Sequence, residues 1–347
     1  MDSVSQIALG ASVALAVMGR RTAPWKSAAV GGALGTLPDL DVVVDYGDAV
    51  LDMVLHRADS HSLFYLSLLG PLLGLAAARL SGDWHRPELR RRWALAAWLA
   101  LFTHPLLDLM TVYGTQLLRP FSSHPFGLGS VFIIDPLYTV PLLVGIVWTL
   151  RSGRLRANLV GLALATAYLG WGAAVQQHVT AVARESLRAQ GIAAERLLVT
   201  PTAFNSVLWR VVAVTPTDFY EGFHGLLDAA PAAGAPAIRF ERFSRGAEVI
   251  ARWQGHWAVP RIAAFSHGFY KMREEKKEGG RVWLTDLRMG QEPFYSFDFD
   301  LAAADAEPAA VVADPAPVGR VGRRVPLDRG LPWLGRRLLG EPLPPPR

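Results

Sequence analysis

Apolar residues fill the first half of the chain in long runs and give way in the second half to short alternating ones. Six runs stand out: Val4–Met18, Ser27–Leu37, Leu63–Leu80, Trp93–Met110, Leu137–Leu150 and Leu155–Trp171. A helix needs about 20 apolar residues to cross the hydrocarbon core of a bilayer. Leu63–Leu80 and Trp93–Met110 approach that length, whereas the first two runs are short and Pro38 breaks off the second. Short or broken helices are tolerated at membrane depth where protein covers their backbone. The pattern predicts a mostly α protein: a polytopic helical membrane bundle of about five to six hydrophobic helices, some short or broken, followed by a small α+β extracytoplasmic domain.

Past Gln176 the period changes. Val179–Arg188 predicts a helix, and Val249–Ala264, rich in Trp and Arg, a second. Apolar and polar residues alternate over Leu197–Val199, Val207–Thr215, Ala237–Phe243, Arg281–Leu287 and Phe294–Phe299, which predicts strands. The chain therefore divides into a transmembrane domain over 1–175, an α+β domain over 176–301, and a linker and basic tail over 302–347. Ala302–Pro317, rich in Ala, Pro and Asp, reads as a flexible linker. The tail from Val318 reads as disordered, or as lying on an anionic membrane surface.

Composition agrees with a membrane location. The chain is 51% hydrophobic and 19% charged, with mean hydropathy +0.23, against about 25% charged residues in soluble domains. The absence of cysteine excludes disulfides and thiolate ligands, leaving His and carboxylate to hold any metal. The net charge of +5 does not point to nucleic acid, because the basic residues sit between apolar runs instead of clustering with aromatics. They occupy alternate connections: Arg20, Arg21 and Lys26; Arg79, Arg86, Arg90, Arg91 and Arg92; Arg151, Arg154 and Arg156. The positive-inside rule makes these cytoplasmic. Pro38–Ser62, Thr111–Pro136 and everything after Trp171 then face outward, as expected for six crossings of a plasma (inner) membrane with the first residue outside. The charge follows the first run instead of preceding it, so that run reads as a retained helix and not a signal peptide.

Four groups of acids and imidazoles fall on the predicted outer side. His104 and Asp108 are four apart and share one helix face. Asp39 and Asp41 follow the second run, where one of them could also cap a helix. His56 and His61 flank a short polar stretch; on a continuous helix they would lie about 140° apart, so a turn is needed to bring both to one ion. Asp135 precedes Pro136, a pattern equally suited to an N-cap. His85 falls on the cytoplasmic side and is excluded.

Read in order, Leu37-Pro38-Asp39-Leu40-Asp41, His56-Arg57 with Ser60-His61-Ser62, His104-Pro105-Leu106-Leu107-Asp108, Tyr113-Gly114-Thr115 and Ile134-Asp135-Pro136 resemble the inner-membrane metal-dependent hydrolases called YdjM-like. The resemblance covers about the first 175 residues. The later segments Pro201–Ser206 with Trp209-Arg210, and Trp283–Gly290, resemble a longer branch of the same family. The resemblance implies metal-assisted hydrolysis, with Asp39, Asp41, His56, His61, His104, Asp108 and Asp135 as candidate ligands. His61, His104 and Asp108 are expected to touch the metal first. The imidazoles favour Zn²⁺, and the carboxylates also admit Mn²⁺ or Mg²⁺. Asp39 and Asp41 are expected to hold a second ion or act as general base, and Arg57 to neutralise an anionic group of the substrate. A site recessed in the outer leaflet suits a membrane lipid or a phosphoester. The rival expectations are a transporter or ion-binding protein using the same cluster, and a non-enzymatic scaffold relying on Asn205, Trp209 and Trp283.

Overall fold

The computed structural model describes residues 1–275, 278–308 and 316–347. The chain forms two compact units. The first comprises Met1–Val44, Leu55–Ala174 and Ala203–Asn205, and the second Asp45–Val54, Val175–Thr202 and Ser206–Arg347.

The first unit is built from α1 (Ser3–Met18), α2 (Pro24–Thr36), α4 (Leu63–Leu80), α5 (Pro87–Leu109), α6 (Pro136–Ser152) and the start of α7 (Leu155–Ala189). 3-10 turns occupy Leu37–Val43 and Asp59–His61, and the short α3 (Ala49–Leu55) between them falls, but for its last residue, in the second unit. Small residues set the helix spacing, as is common in membrane bundles. A Cβ at Gly10 would lie 2.2 Å from the Gly31 carbonyl oxygen, and one at Gly35 would lie 2.5 Å from that of Gln6, so α1 and α2 touch backbone to backbone. Gly74 gives the same close approach between α4 and α5, where a Cβ would fall 2.4 Å from the Trp93 carbonyl oxygen. Leu9, Val13 and Leu15 of α1 pack with Leu107, Tyr138, Leu142 and Ala165 in one core. Inside it, Asn158 of α7 donates to the Ser12 carbonyl at 2.9 Å and accepts from the Ser12 hydroxyl at 2.9 Å.

These helices correct the expected bundle of five or six crossings. Among the described residues ten α-helices form, and two of them, α4 and α7, are long and apolar enough to cross a membrane, with mean hydropathy 1.6 and 1.4 over their best windows. Only 28% of each window is buried within the protein, unlike the core helix of a soluble domain. The other runs fail for physical reasons. α1, α2 and α6 have 16, 13 and 17 residues, short of the about 20 required. α5 has 23 residues, but it opens on Glu88, Arg90, Arg91 and Arg92 and ends on His104 and Asp108.

The second unit is mainly antiparallel sheet. β1 (Arg196–Pro201), β2 (Leu208–Val214), β3 (Asp218–Gly225) and β4 (Glu241–Ser244) pair in sequence order. Val175, Val179 and Ala183, spaced four apart on α7, pack against Val199, Trp209 and Val211. Val212, Val214 and Phe219 join Phe269, Leu287 and Tyr295 in a separate cluster. β2 is thus buried along its whole length, which explains its near-continuous apolar run. Its one charge, Arg210, meets Glu221 of β3 at 2.6 Å.

The remaining elements of this unit are α8 (Ala247–Trp253), α9 (Ala258–Phe265), β5 (Tyr270–Glu274), β6 (Arg281–Asp286), the short pair β7 (Gly290–Gln291) and β8 (Phe294–Tyr295), β9 (Asp298–Ala303), β10 (Gly319–Arg320) and α10 (Leu327–Leu338). β10, β9, β6 and β5 form a second sheet in that order. The linker expected over Ala302–Pro317 begins inside β9, and 309–315 lie outside the described residues. The tail differs from a disordered segment, because α10 is fixed by a fork from Arg337 to both Asp228 oxygens, at 2.8 and 2.9 Å. Trp333 also packs edge-on against Phe223.

Candidate metal centre

Four donor atoms converge inside the first unit, one each from Asp39, His61, His104 and Asp108, all within 4.8 Å of one another. His61, His104 and Asp108 are fully buried, and the Asp39 side chain is 15% exposed. Local structure delivers each. Pro38 ends α2 in a 3-10 turn that presents Asp39 and Asp41. A second 3-10 turn ends on His61 immediately before α4. His104 and Asp108 occupy successive turns of α5.

The spacing fits one ion. The two Nε2 atoms of His61 and His104 are 3.1 Å apart. Asp108 Oδ2 lies 3.1 Å from the first and 3.4 Å from the second. Asp39 Oδ1 lies 3.4 and 3.5 Å from the same atoms. A tetrahedral zinc site with bonds of about 2.0 Å has donor–donor edges of about 3.3 Å. Asp108 Oδ2 is buried and makes no well-directed hydrogen bond to either imidazole, as expected of a lone pair aimed at a shared ion. The donor set and its dimensions therefore fit a divalent cation.

A second layer orients the ligands. His104 Nδ1 lies 2.6 Å from the Gly35 carbonyl oxygen and donates to it, which leaves Nε2 free to coordinate. His61 Nδ1 faces Ser60 Oγ at 2.9 Å and Asp41 Oδ2 at 3.5 Å. Asp41 Oδ2 also accepts from Ser60 Oγ at 2.6 Å and from the Arg57 amide at 2.9 Å, and Asp41 Oδ1 lies 2.9 Å from His56 Nδ1. Asp108 Oδ1 faces the Arg57 guanidinium at 3.4 Å, receives Gln6 Nε2 at 3.1 Å and pairs with the Met1 amine.

These contacts set the protonation states. Burial opposes a charge on His61, but the Asp108, Asp39 and Asp41 carboxylates around it hold its imidazole up at about 9. Burial would likewise raise Asp39, yet His104 and His61 pull it well below the ordinary carboxylate range. Burial is also outweighed at Asp41, held down by His56, His61 and Ser60.

Of the candidates read from sequence, Asp39, His61, His104 and Asp108 meet in one cluster. Asp41 and His56 stand beside it, with Asp41 Oδ1 2.9 Å from His56 Nδ1. Arg57 is buried, with φ 61, against Asp108, Thr111 and the Tyr113 ring, so its charge balances the ligand shell. Asp135 lies outside the cluster: it caps α6 through the Leu137 amide and accepts from the Tyr168 hydroxyl at 2.7 Å. Gly35 and Gln6 were not foreseen. Gly35 acts through its carbonyl, which no residue pattern marks, and Gln6 is one amide within an apolar run.

The model of the family described as YdjM inner membrane protein matches residues 1–179, just over half of the chain and all of this cluster. Among curated proteins and among solved structures nothing matches the chain.

Proposed function

The chain belongs to the YdjM inner membrane protein family, and we propose that it is a membrane-bound metal-dependent hydrolase whose His/Asp centre cleaves an ester or phosphoester of a membrane lipid on the extracytoplasmic side. The observation that carries this reading is the set of four converging donors, in which each imidazole Nε2 lies 3.1–3.5 Å from the other and from the two carboxylates. Zn²⁺ is the ion best suited to two imidazoles and two carboxylates, with Mn²⁺ or Mg²⁺ as alternatives. Such an ion supplies Lewis acidity and lowers the pKa of a water to about 7.

The chain's own groups do the rest. Asp39, His61, His104 and Asp108 hold the ion, and Asp39 borders the opening. Asp41 is a positioning residue that turns both His61 and His56. His56, 24% exposed and steered by Asp41 through Nδ1, carries the proton. In the overall reaction the water oxygen bonds to the acyl carbon or phosphorus as its proton passes to His56, the bond to the leaving oxygen breaks, and that oxygen takes the same proton from His56, which returns to its starting state. The Arg-rich stretches follow α4 and precede α7. Under the positive-inside rule this supports an orientation with the start of α4, next to His61, and the residues after α7 outside the cytoplasm.

The test is metal analysis and lipid hydrolysis by purified wild type, His104→Ala and Asp108→Ala, with Zn²⁺, Mn²⁺ or Mg²⁺ supplied. Wild type should retain metal and release product, and both variants should lose both. Equal metal in all three, or no hydrolysis with any ion, would overturn the reading. A periplasmic reporter fused after Ala189 should be active, and activity confined to a cytoplasmic reporter would reverse the orientation.

A further inference from the structure

A groove of 390 Å³ lies between Ile7 of α1 and the Ala28, Ala29, Gly32, Ala33 and Thr36 face of α2, and it ends at Leu37 and Leu40. Its lining is hydrocarbon apart from Thr36, whose hydroxyl already donates to the Gly32 carbonyl at 3.3 Å. A polar guest would lose hydration there and gain no partner. The breadth of the groove comes from small residues, with Ala29 and Ala33 one turn apart on its exposed rim.

The groove ends at the segment that carries Asp39. Leu37 and Leu40 bracket Asp39, and Thr36 follows Gly35, whose carbonyl fixes His104. The 3-10 turn that holds Leu40 is aliphatic beyond the groove as well: Leu40, Val42 and Val43 are 53%, 72% and 78% exposed. An uncharged trough that ends one residue along the chain from a donor of the cation-binding cluster matches a molecule with a hydrocarbon tail and a polar, hydrolysable head. The exposed aliphatics on that turn favour arrival from a lipid phase over arrival from water.

We propose that this groove is the acyl-chain subsite of the substrate: one lipid tail lies along α2, which sets the ester or phosphoester linkage against Asp39 and His104. The proposal rests on the hydrolase reading above and adds to it the tail by which the substrate is chosen. Chain length and groove volume then determine specificity, since a linkage without a tail is delivered with no orientation.

The experiment compares wild type with Ala33→Phe and Ala29→Phe, full chain in detergent micelles, on dioleoyl and dibutyryl phosphatidylcholine. Both positions are exposed, so the rings fill the trough without entering the helix core, and bound metal should be unchanged. The expected result is a fall of at least about tenfold in kcat/KM for the dioleoyl lipid, with the dibutyryl value held within about twofold. A separate readout needs no turnover: a phosphatidylcholine carrying a photoreactive group at mid-tail should label peptides containing Ile7 and Ala28–Ala33 in wild type and lose that label in Ala33→Phe. Equal effects on both lipids, or labelling spread evenly around the bundle as from annular lipid only, would overturn the subsite. Labelling confined to the groove with neither lipid hydrolysed would remove the reaction and leave the groove as a tail-binding site.

Discussion

Asp41→Asn separates a ligand from a residue that orients one. Asp41 Oδ2 stands 3.5 Å from His61 Nδ1 and accepts from Ser60 at 2.6 Å and from the Arg57 amide at 2.9 Å, while Oδ1 faces His56 at 2.9 Å. None of these contacts is made to the converging donor atoms. The amide is isosteric and keeps one acceptor, but it cannot serve His61 and His56 at once with full charge. Loss of an outer partner of a metal-bound imidazole typically costs 10–100-fold in metal affinity, which is about 1.4–2.8 kcal/mol. His104→Ala removes a donor outright and should abolish stoichiometric retention. Competition dialysis against a graded chelator, with the metal counted afterwards, measures both. If Asp41→Asn held the ion as tightly as wild type, Asp41 would not orient His61. If it lost as much as His104→Ala, Asp41 would itself be a ligand and the four-donor assignment would be wrong.

Gly10→Val should collapse the first unit, because its Cβ would sit 2.2 Å from the Gly31 carbonyl oxygen and no flexible side chain can yield. Overpacking of this kind costs about 1–3 kcal/mol or more, and yield and thermal midpoint in detergent report it. Arg210→Met leaves buried Glu221 with Arg347 as its one remaining cation among the described residues. Breaking a buried pair costs about 3–5 kcal/mol, readable by denaturant titration, and pairing it with Glu221→Leu should recover part of the loss. Burial lowers the His256 pKa, against a smaller opposing effect of Asp48, so the unfolded chain binds the proton more readily. That contribution is intact above about pH 6.5 and is lost as pH falls toward the folded pKa. The thermal midpoint should therefore drop on acidification, and less steeply in His256→Phe; an unchanged slope would exclude His256 as the source.

How much of this was legible in sequence varied with the locality of the signal. His104 and Asp108 announced themselves by helical spacing. Asp39 and His61 were visible as residue types, but their meeting with α5 depends on two 3-10 turns that periodicity does not encode. Asp41 and His56 were readable as candidate ligands and were found in the orienting layer, a distinction of a few ångströms between atoms. The number of crossings was overestimated because an apolar run was read for character more than for length: α1 and α6 are apolar yet short. In the second unit, β2 and β6 lie within the segments Val207–Thr215 and Arg281–Leu287, where alternation predicts strands. β3 was missed because Glu221, Gly222 and His224 dilute its pattern, and β5 because Lys271, Arg273 and Glu274 do the same. Buried charges such as Glu221 and Lys271 read as surface until their partners are known. The α10 helix was hidden for a similar reason, since Arg337 looks like a solvated charge until Asp228, far away in sequence, is placed beside it.

The Gly35 carbonyl that steers His104 belongs to the peptide backbone. Every amino acid has that oxygen, so no single codon change can delete the steering group itself. Heritable variation can reach it only indirectly, by altering the gap between two helices that already touch. Tuning of the imidazole is therefore a matter of how closely backbones approach, set at glycine positions, and an engineer hoping to adjust the electronic environment of an ion held there would begin at residues that never meet it.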